Sequence, residues 1–554
     1  MKKTLSKIMT FVLIVTCLLS GCGATGYEEN QTLTYNEAVQ ELSSKLTKVH
    51  SSTVDAPLDI YDLDTPTKTL ADINTYPITV QGTGAIDIEI AAATELSAEA
   101  PDDLINVLAK NFNRDKFEIN GKTISVSIRK ITSGEVLTYM TEGDYKPDVY
   151  IPSSYAWGEM LKAKGVGTIK LTDRMAGNTA GILMEEQTHK DFIEKYHEVT
   201  VDKVLEASLA GDLTFAYTNP YTSSTGLNIL ATMLHSFDAD NPLSDTASAK
   251  LLDYQKQSPP VAYTTAVLRS QASKGIIKSM VMEEQAYRNA PELKDYVYIP
   301  AGVRHDHPVY TFDYVETEKQ QAAKKFVEYC LSNKAQKIAT EKGFNLHDDY
   351  KEQSAGLDGA GYLAVQKIWK ANKDGGKPII AVFVADVSGS MDGEPLNALK
   401  DSLISTASYI SSDNYIGLVS YADTVYINLD IDQFDETQRA YFSGAVKSLT
   451  ANGGTATYDA VLVALNMLKE KAQEVPDAKL MLFVLSDGEQ NRGYGLNKIT
   501  DVVGGMKVPV YTIGYNLQNS NALKQLSEIN EAALINAQTD DIVNQLRNLF
   551  NVQL

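Results

Sequence analysis

From about residue 84 the chain alternates between two hydrophobic periods. Ile86, Ile88 and Ile90 are separated by Asp87 and Glu89 and run into Ala91–Ala93, a period of two that predicts a strand turning into a buried segment. Pro101, Asp102 and Asp103 then open a helix whose Leu104, Val107 and Leu108 share a face. Ile124, Val126 and Ile128 place another strand over Thr123–Arg129. This alternation continues to about Phe344 and predicts an α/β domain with a largely parallel sheet. Residues 348–376 are richer in Gly and Asp, with one short helix at Tyr362–Ala371, and read as an interdomain linker. Beyond them Ile379–Ala385 is continuously apolar, as a strand covered by helices on both faces must be. Tyr415–Tyr421, Lys479–Leu485, Val508–Tyr515 and Ala533–Ala537 supply further strands. The expected organisation is a domain over residues 84–347 and a second, doubly wound α/β domain over residues 377–554.

The first residues follow a different logic. Lys2, Lys3 and Lys7 precede an apolar run from Ile8 to Leu19, too short for a bilayer span of about 20 residues. The run ends in Leu19-Ser20-Gly21-Cys22, which resembles a bacterial lipoprotein signal. That resemblance implies removal of residues 1–21, acylation of Cys22 and export to the outer face of the cytoplasmic membrane, or to an outer membrane where one exists. An ordinary cleaved signal or a retained anchor shares the charge and the run without requiring the cysteine. Residues 22–83 are polar, with a possible helix near Ala38–Val49, and read as a tether. Of three cysteines only Cys330 falls outside the signal region, so no internal disulfide is expected. Cys330 shares a helical stripe with Ala322, Ala323, Phe326 and Val327 and reads as core.

With 554 residues the chain exceeds one core, and its net charge of −21 opposes nucleic-acid partners. Three turns carry the candidate chemistry. Asp386-Val387-Ser388-Gly389-Ser390 follows the apolar strand, where alternate side chains can face one centre. Gly453-Gly454-Thr455 opens a helix, and Ser486-Asp487-Gly488 ends the strand Leu480–Leu485. In an open α/β sheet, ligands bind beyond the carboxyl ends of strands. Carboxylates and hydroxyls are hard donors suited to Mg2+, Mn2+ or Ca2+. Strand termination and helix capping are the alternative use of such residues.

In order and spacing, Asp386, Ser388, Ser390, Thr455 and Asp487 resemble the metal-ion-dependent adhesion site of von Willebrand factor A domains. The resemblance implies that Ser388 and Ser390 ligate a divalent cation, Mg2+ foremost. It implies that Thr455 does so directly or through water, and that Asp386 and Asp487 act through water. One position stays open for an acidic group of a protein partner. Neither a Gly-x-Ser-x-Gly elbow, a phosphate loop nor a His-Glu-x-x-His helix occurs in the sequence, so no enzymatic activity is expected.

Residues 84–347 resemble a bacterial extracellular solute-binding protein of the two-lobed periplasmic-receptor kind. The resemblance rests on Ile86–Glu95, Pro147–Ser154, Thr218–Gly226 and Tyr298–Pro308. Thr94, Ser153, Ser154, Ser223, Ser224 and Thr225 lie at strand ends or a helix start, where they can meet an anion or another polar solute. Helix capping without a ligand is the alternative. His305-Asp306-His307 lacks a third ligand nearby and reads as a solvated or capping cluster. The order of the two domains resembles a class of bacterial surface lipoproteins. The expected function is partner binding through the metal, with a solute receptor of an ABC-type importer as the alternative and a metal-dependent hydrolase as a remote third.

Overall fold

The computed structural model describes residues 33–59, 73–143, 145–262, 265–273, 275, 277–407, 410–487, 490–515, 521–530 and 534–537. The signal over residues 1–21 and the lipidation candidate Cys22 lie outside the described residues, as does Gly488. Among the described residues, no helix is long and apolar enough to cross a membrane.

The C-terminal domain is built on a seven-stranded sheet. Its order is Ser51–Thr53, Val425–Gln433, Tyr415–Tyr421, Ile379–Asp386, Lys479–Ser486, Val510–Tyr515 and Leu534–Ala537. All neighbours pair in parallel except Val425–Gln433 against Tyr415–Tyr421. The central strand Ile379–Asp386 is buried along its whole length. Its side chains alternate between two cores, as a pleated strand requires. Ala381 and Phe383 meet Leu399, Leu403 and Phe442 on one face, while Ile380, Val382 and Val384 meet Val461, Leu465 and Val502 on the other. The doubly wound expectation therefore holds.

The tether expected over residues 22–83 is corrected over its described part. Thr34 and Glu37 form a reciprocal capping box that starts a helix at Tyr35–Leu46. Ala38 and Leu42, one turn apart, are fully buried in the same core as Val502, Val503 and Met506. Ser51–Thr53 then adds a parallel edge strand beside Val425–Ile427. Asp59 follows, accepting from Lys447 Nζ at 2.6 Å and Ser443 Oγ at 3.2 Å. Residues 33–59 thus strap the C-terminal domain, and the other domain interrupts its chain path. The strap crosses the helix Glu436–Ser448 where Gly444 sits, and a Cβ there would lie 1.8 Å from the Pro57 carbonyl oxygen. Alanine ordinarily favours a helix by about 1 kcal/mol over glycine. Gly444→Ala is nevertheless expected to lower stability and open the chain to proteolysis near Pro57; a gain in stability would show that the strap does not close here.

The first domain has two lobes. One holds the sheet Ile78–Val80, Lys122–Lys130, Ile86–Ala92, Val149–Ile151, Val309–Phe312 and Thr168–Thr172, with Glu118–Ile119 paired to Lys122–Lys130. The other holds Ser279–Glu283, Thr179–Glu185 and Tyr296–Arg304, all antiparallel, beside the short parallel pair Tyr217–Thr218 and Val261–Ala262. The largely parallel sheet expected here is thus mixed. Val309–Phe312 comes back from the second lobe and runs antiparallel to both neighbours.

The linker expected over residues 348–376 is also corrected. Gly359–Asn372 forms a helix whose Tyr362, Val365 and Trp369 are fully buried in the first domain's core. Trp369 Nε1 donates to Tyr217 Oη at 2.8 Å, and Gln366 Nε2 to the Pro220 carbonyl at 2.9 Å. An apolar face at i, i+3 and i+7 had a surface to cover, which a linker helix lacks. The junction shrinks to the few residues between Asn372 and Ile379. Cys330 is buried, as its stripe predicts.

Candidate functional site

The apolar strand Ile379–Asp386 carries its last residue, Asp386, to the top of the sheet with none of its surface exposed. Its Oδ1 accepts from the Ser388 backbone N–H at 2.8 Å, and its Oδ2 from Ser486 Oγ at 2.6 Å and Tyr421 Oη at 3.2 Å. Ser388 Oγ lies 3.1 Å from Ser390 Oγ, and Ser390 Oγ donates to Asp487 Oδ1 at 3.0 Å. One hydrogen-bonded series therefore leads from the buried Asp386 to the exposed Ser390 and the half-buried Asp487.

Thr455 is brought alongside through backbone. Gly389 N–H donates to the Gly453 carbonyl at 3.0 Å, and Asn452 N–H to the Val387 carbonyl at 2.8 Å. Gly453 adopts φ +67°, which a side chain rarely tolerates. Asn491 holds Thr455 from the other side: its Oδ1 accepts from the Thr455 N–H at 2.9 Å, and its Nδ2 lies 3.5 Å from Thr455 Oγ1. Four of the five expected residues thus share a hydrogen-bonded series, and Thr455 joins through its loop. Tyr421, Ser486 and Asn491 were not among the expected residues. Ser486 directly precedes Asp487 and ends the same strand, a signal that was available.

Burial pushes the Asp386 carboxyl up from its ordinary value, with a further contribution from the charge of Asp487; burial likewise raises Asp487. Two carboxylates held in poor solvation beside three hydroxyls form a donor set that a hard divalent cation fits. Among the described residues, no group of three or more His, Cys, Asp or Glu converges on a metal position.

A second site lies between the lobes of the first domain, in a cavity of about 250 Å³. Thr94, Ser153, Ser223 and Ser224 line it, together with Ser133, Thr222 and Thr265. Ser154 and Thr225 are not in its lining. Ser154 is fully buried and caps the helix Tyr155–Ala163 through the Ala156 N–H, while Thr225 Oγ1 donates to Glu283 Oε1. The cavity also receives Glu95, Asp102 and Glu283 against the single guanidinium of Arg269. Gln285 is fully buried with no hydrogen bond to its Oε1, and its Nε2 donates to Asp102 Oδ1 across the lobes at 2.5 Å. Glu95 Oε1 is buried and faces His307 Nε2 at 3.5 Å. Sequence reasoning picked out the hydroxyls and missed the carboxylates, which come from separate elements of both lobes.

The solvated reading of His305-Asp306-His307 is corrected. Both imidazoles are fully buried. Asn228 Nδ2 lies 2.7 Å from His305 Nε2, and His305 Nδ1 lies 3.0 Å from Glu283 Oε1, a hydrogen-bonded pair. That bond helps hold the Glu283 carboxyl below its ordinary value against the opposing effect of burial. His307 Nδ1 bonds the Ala176 carbonyl at 3.1 Å, and Asp306 pairs with Arg304 at 2.9 Å. The trio points three ways and does not form one ligand set.

Residues 94–345 match the family model of the bacterial extracellular solute-binding protein, and residues 381–551 that of the von Willebrand factor type A domain. The chain is 27% identical over 140 residues to the uncharacterized protein sll0103 of Synechocystis sp., covering 25% of this chain and 32% of that protein. It is 29% identical over 167 residues to inter-alpha-trypsin inhibitor heavy chain H3 of Bos taurus, covering 27% and 18%. The chain spans about a third or less of these curated relatives. Among solved structures, a periplasmic thiamin binding protein aligns at 14% identity over 54% of this chain and 98% of its own, with a TM-score of 0.39. A von Willebrand factor type A structure from Catenulispora acidiphila aligns at 17% identity over 32% and 42%, with a TM-score of 0.29.

Proposed function

We propose that this chain, an extracellular solute-binding domain followed by a von Willebrand factor A domain, is a surface lipoprotein that captures a protein partner through a divalent cation. Asp386, Ser388, Ser390, Thr455 and Asp487 would hold the cation, Mg2+ foremost and Mn2+ or Ca2+ otherwise. The cation would supply a Lewis-acidic point for an acidic side chain of the partner. The observation that carries this reading is the hydrogen-bonded series from Asp386 through Ser388 and Ser390 to Asp487. Asp386 gathers the turn by accepting the Ser388 N–H and the Ser486 hydroxyl, and the series surfaces at Ser390, where a partner has access. Both domain types are binding modules. Cys22 would carry the lipid that holds the chain on the outer face of a membrane. Pull-down from the native cell surface is expected to recover a partner with Mg2+ present and to lose it in EDTA; recovery that ignores chelation would remove the cation from the account.

The interlobe cavity supports a second reading, a solute receptor of an ABC-type importer. Its chemistry narrows the solute. Among the described residues of its lining, three carboxylates face one guanidinium, and Gln285 Oε1 is a buried acceptor without a hydrogen bond. Leaving such an acceptor unmet costs about 1–3 kcal/mol, so with the excess of carboxylates a solute that donates N–H groups or carries positive charge fits better than the anion the hydroxyls alone allowed. Mass spectrometry of the protein purified from its native cell is expected to release a cationic or amine-bearing small molecule. An inorganic oxyanion released instead would reverse this assignment.

A further inference from the structure

Near the junction of the two domains the charge changes sign. In a chain of net charge −21, a cavity of about 390 Å³ is lined by Lys367, Lys370, Lys373 and Lys377, and among the described residues of its lining Asp374 and Asp413 oppose them. Tyr221 closes it from the first domain, and Ser411 and Asp413 from the second. The lysines gather because Lys367, Lys370 and Lys373 follow one another at three-residue intervals along the end of the helix Gly359–Asn372, whose apolar face is anchored by Trp369. Lys377 follows after two glycines in left-handed conformation, Gly375 at φ +66° and Gly376 at φ +73°.

We infer that this junction cavity is a binding site for a small polyanion of the phosphate or pyrophosphate class. Lys373 is the built element. Its side chain is 2% exposed, and its Nζ pairs with Asp374 Oδ2 at 2.9 Å and Oδ1 at 3.1 Å. Asp374 and Asp413 are the two carboxylates that the described lining sets against four lysines. Lys370 is pushed down to about 7 by burial and then by the charge of Lys373, and Lys479 is also lowered, by burial first and by Lys373 and Lys377 after it. Four lysines set against two carboxylates leave an excess of positive charge that an anion can balance, and ammonium groups are point-charge partners for phosphate oxygens. The carbonyl end of the helix Gly359–Asn372 offsets part of this charge, by roughly half an elementary charge, and leaves most of it.

Titration calorimetry of the full chain with pyrophosphate, at constant ionic strength and without divalent cations, tests the assignment. One equivalent is expected to bind. Lys370→Met should weaken binding at least about tenfold, and the exposed Lys367→Ala at least about threefold. Lys370→Arg should retain it. Arg269→Met, in the interlobe cavity, should leave it unchanged. If Lys370→Met does not fold, unchanged affinity in Lys367→Ala overturns the site by itself. Loss in Arg269→Met with none in Lys367→Ala would place the anion between the lobes and overturn it equally, and no binding by the unaltered chain would end it.

Discussion

In a thermal scan, Mg2+ is expected to raise the unfolding temperature of the C-terminal domain, and Asp386→Ala to abolish that rise. A ligand that binds only the folded state stabilises it by about 2.7 kcal/mol at a hundredfold excess over its dissociation constant. Asp386 reaches the proposed cation position through the turn it organises. Its two oxygens accept from the Ser388 N–H, Ser486 Oγ and Tyr421 Oη. Without them the Ser388 and Ser390 hydroxyls lose their fixed positions, and the site loses half of its carboxylate charge. Alanine also leaves buried donors unmet, at about 1–3 kcal/mol each, while removing a carboxylate whose burial is itself unfavourable. The cation-free variant is therefore expected to be less stable but folded, and the diagnostic quantity is the increment on adding Mg2+. An increment equal in the variant and the unaltered chain would place the cation elsewhere. Adhesion tests then follow from the same variant, because a partner that docks on the cation must lose its affinity with it.

Leu42→Ala is expected to cost the C-terminal domain about 2–5 kcal/mol, the range for emptying a leucine's space in a closed core. Leu42 is fully buried against the helix Thr500–Met506, far from its own domain in sequence, so the loss measures how tightly residues 33–59 are bound. The two tryptophans make the reading specific. Trp157 and Trp369 are both buried in the first domain, so their fluorescence follows that domain, whereas circular dichroism follows both. Leu42→Ala should move the dichroism transition of the C-terminal domain and leave the tryptophan transition in place. No destabilisation at all would return residues 33–59 to the role of a loose tether.

The strap was illegible for a physical reason. Its fully buried contribution to the core is two residues one turn apart, Ala38 and Leu42, flanked by the partly buried Leu33, Val39, Leu46 and Val49 within a polar segment, and its strand Ser51–Thr53 is exposed on every residue. Period and composition register only extended apolar faces. The helix Gly359–Asn372 was legible as a helix, but its partner was not, because Tyr362, Val365 and Trp369 describe a face without saying which domain covers it. The metal candidate was legible almost whole. Asp386, Ser388 and Ser390 fall within five residues, and the turns holding them and Asp487 follow apolar strands that end at the top of the sheet.

The interlobe cavity stands at the other extreme. Its hydroxyls follow strand ends and helix starts and were open to sequence reasoning, whereas Glu95, Asp102, Arg269, Glu283 and Gln285 carry no local pattern and meet only when the lobes face each other. His305 and His307 likewise read as solvated until the packing buried them. The sequence by itself determined what depends on neighbours along the chain: the strands, the two α/β domains and the turns with their hard oxygen donors. Only the tertiary structure decided which segments cover which core, that four hydroxyl- and carboxylate-bearing residues close into one series, and that acids collect between the lobes while lysines collect near the junction. Those outcomes depend on solvation and on charges brought together from distant parts of the chain, and neither quantity exists until the chain is folded.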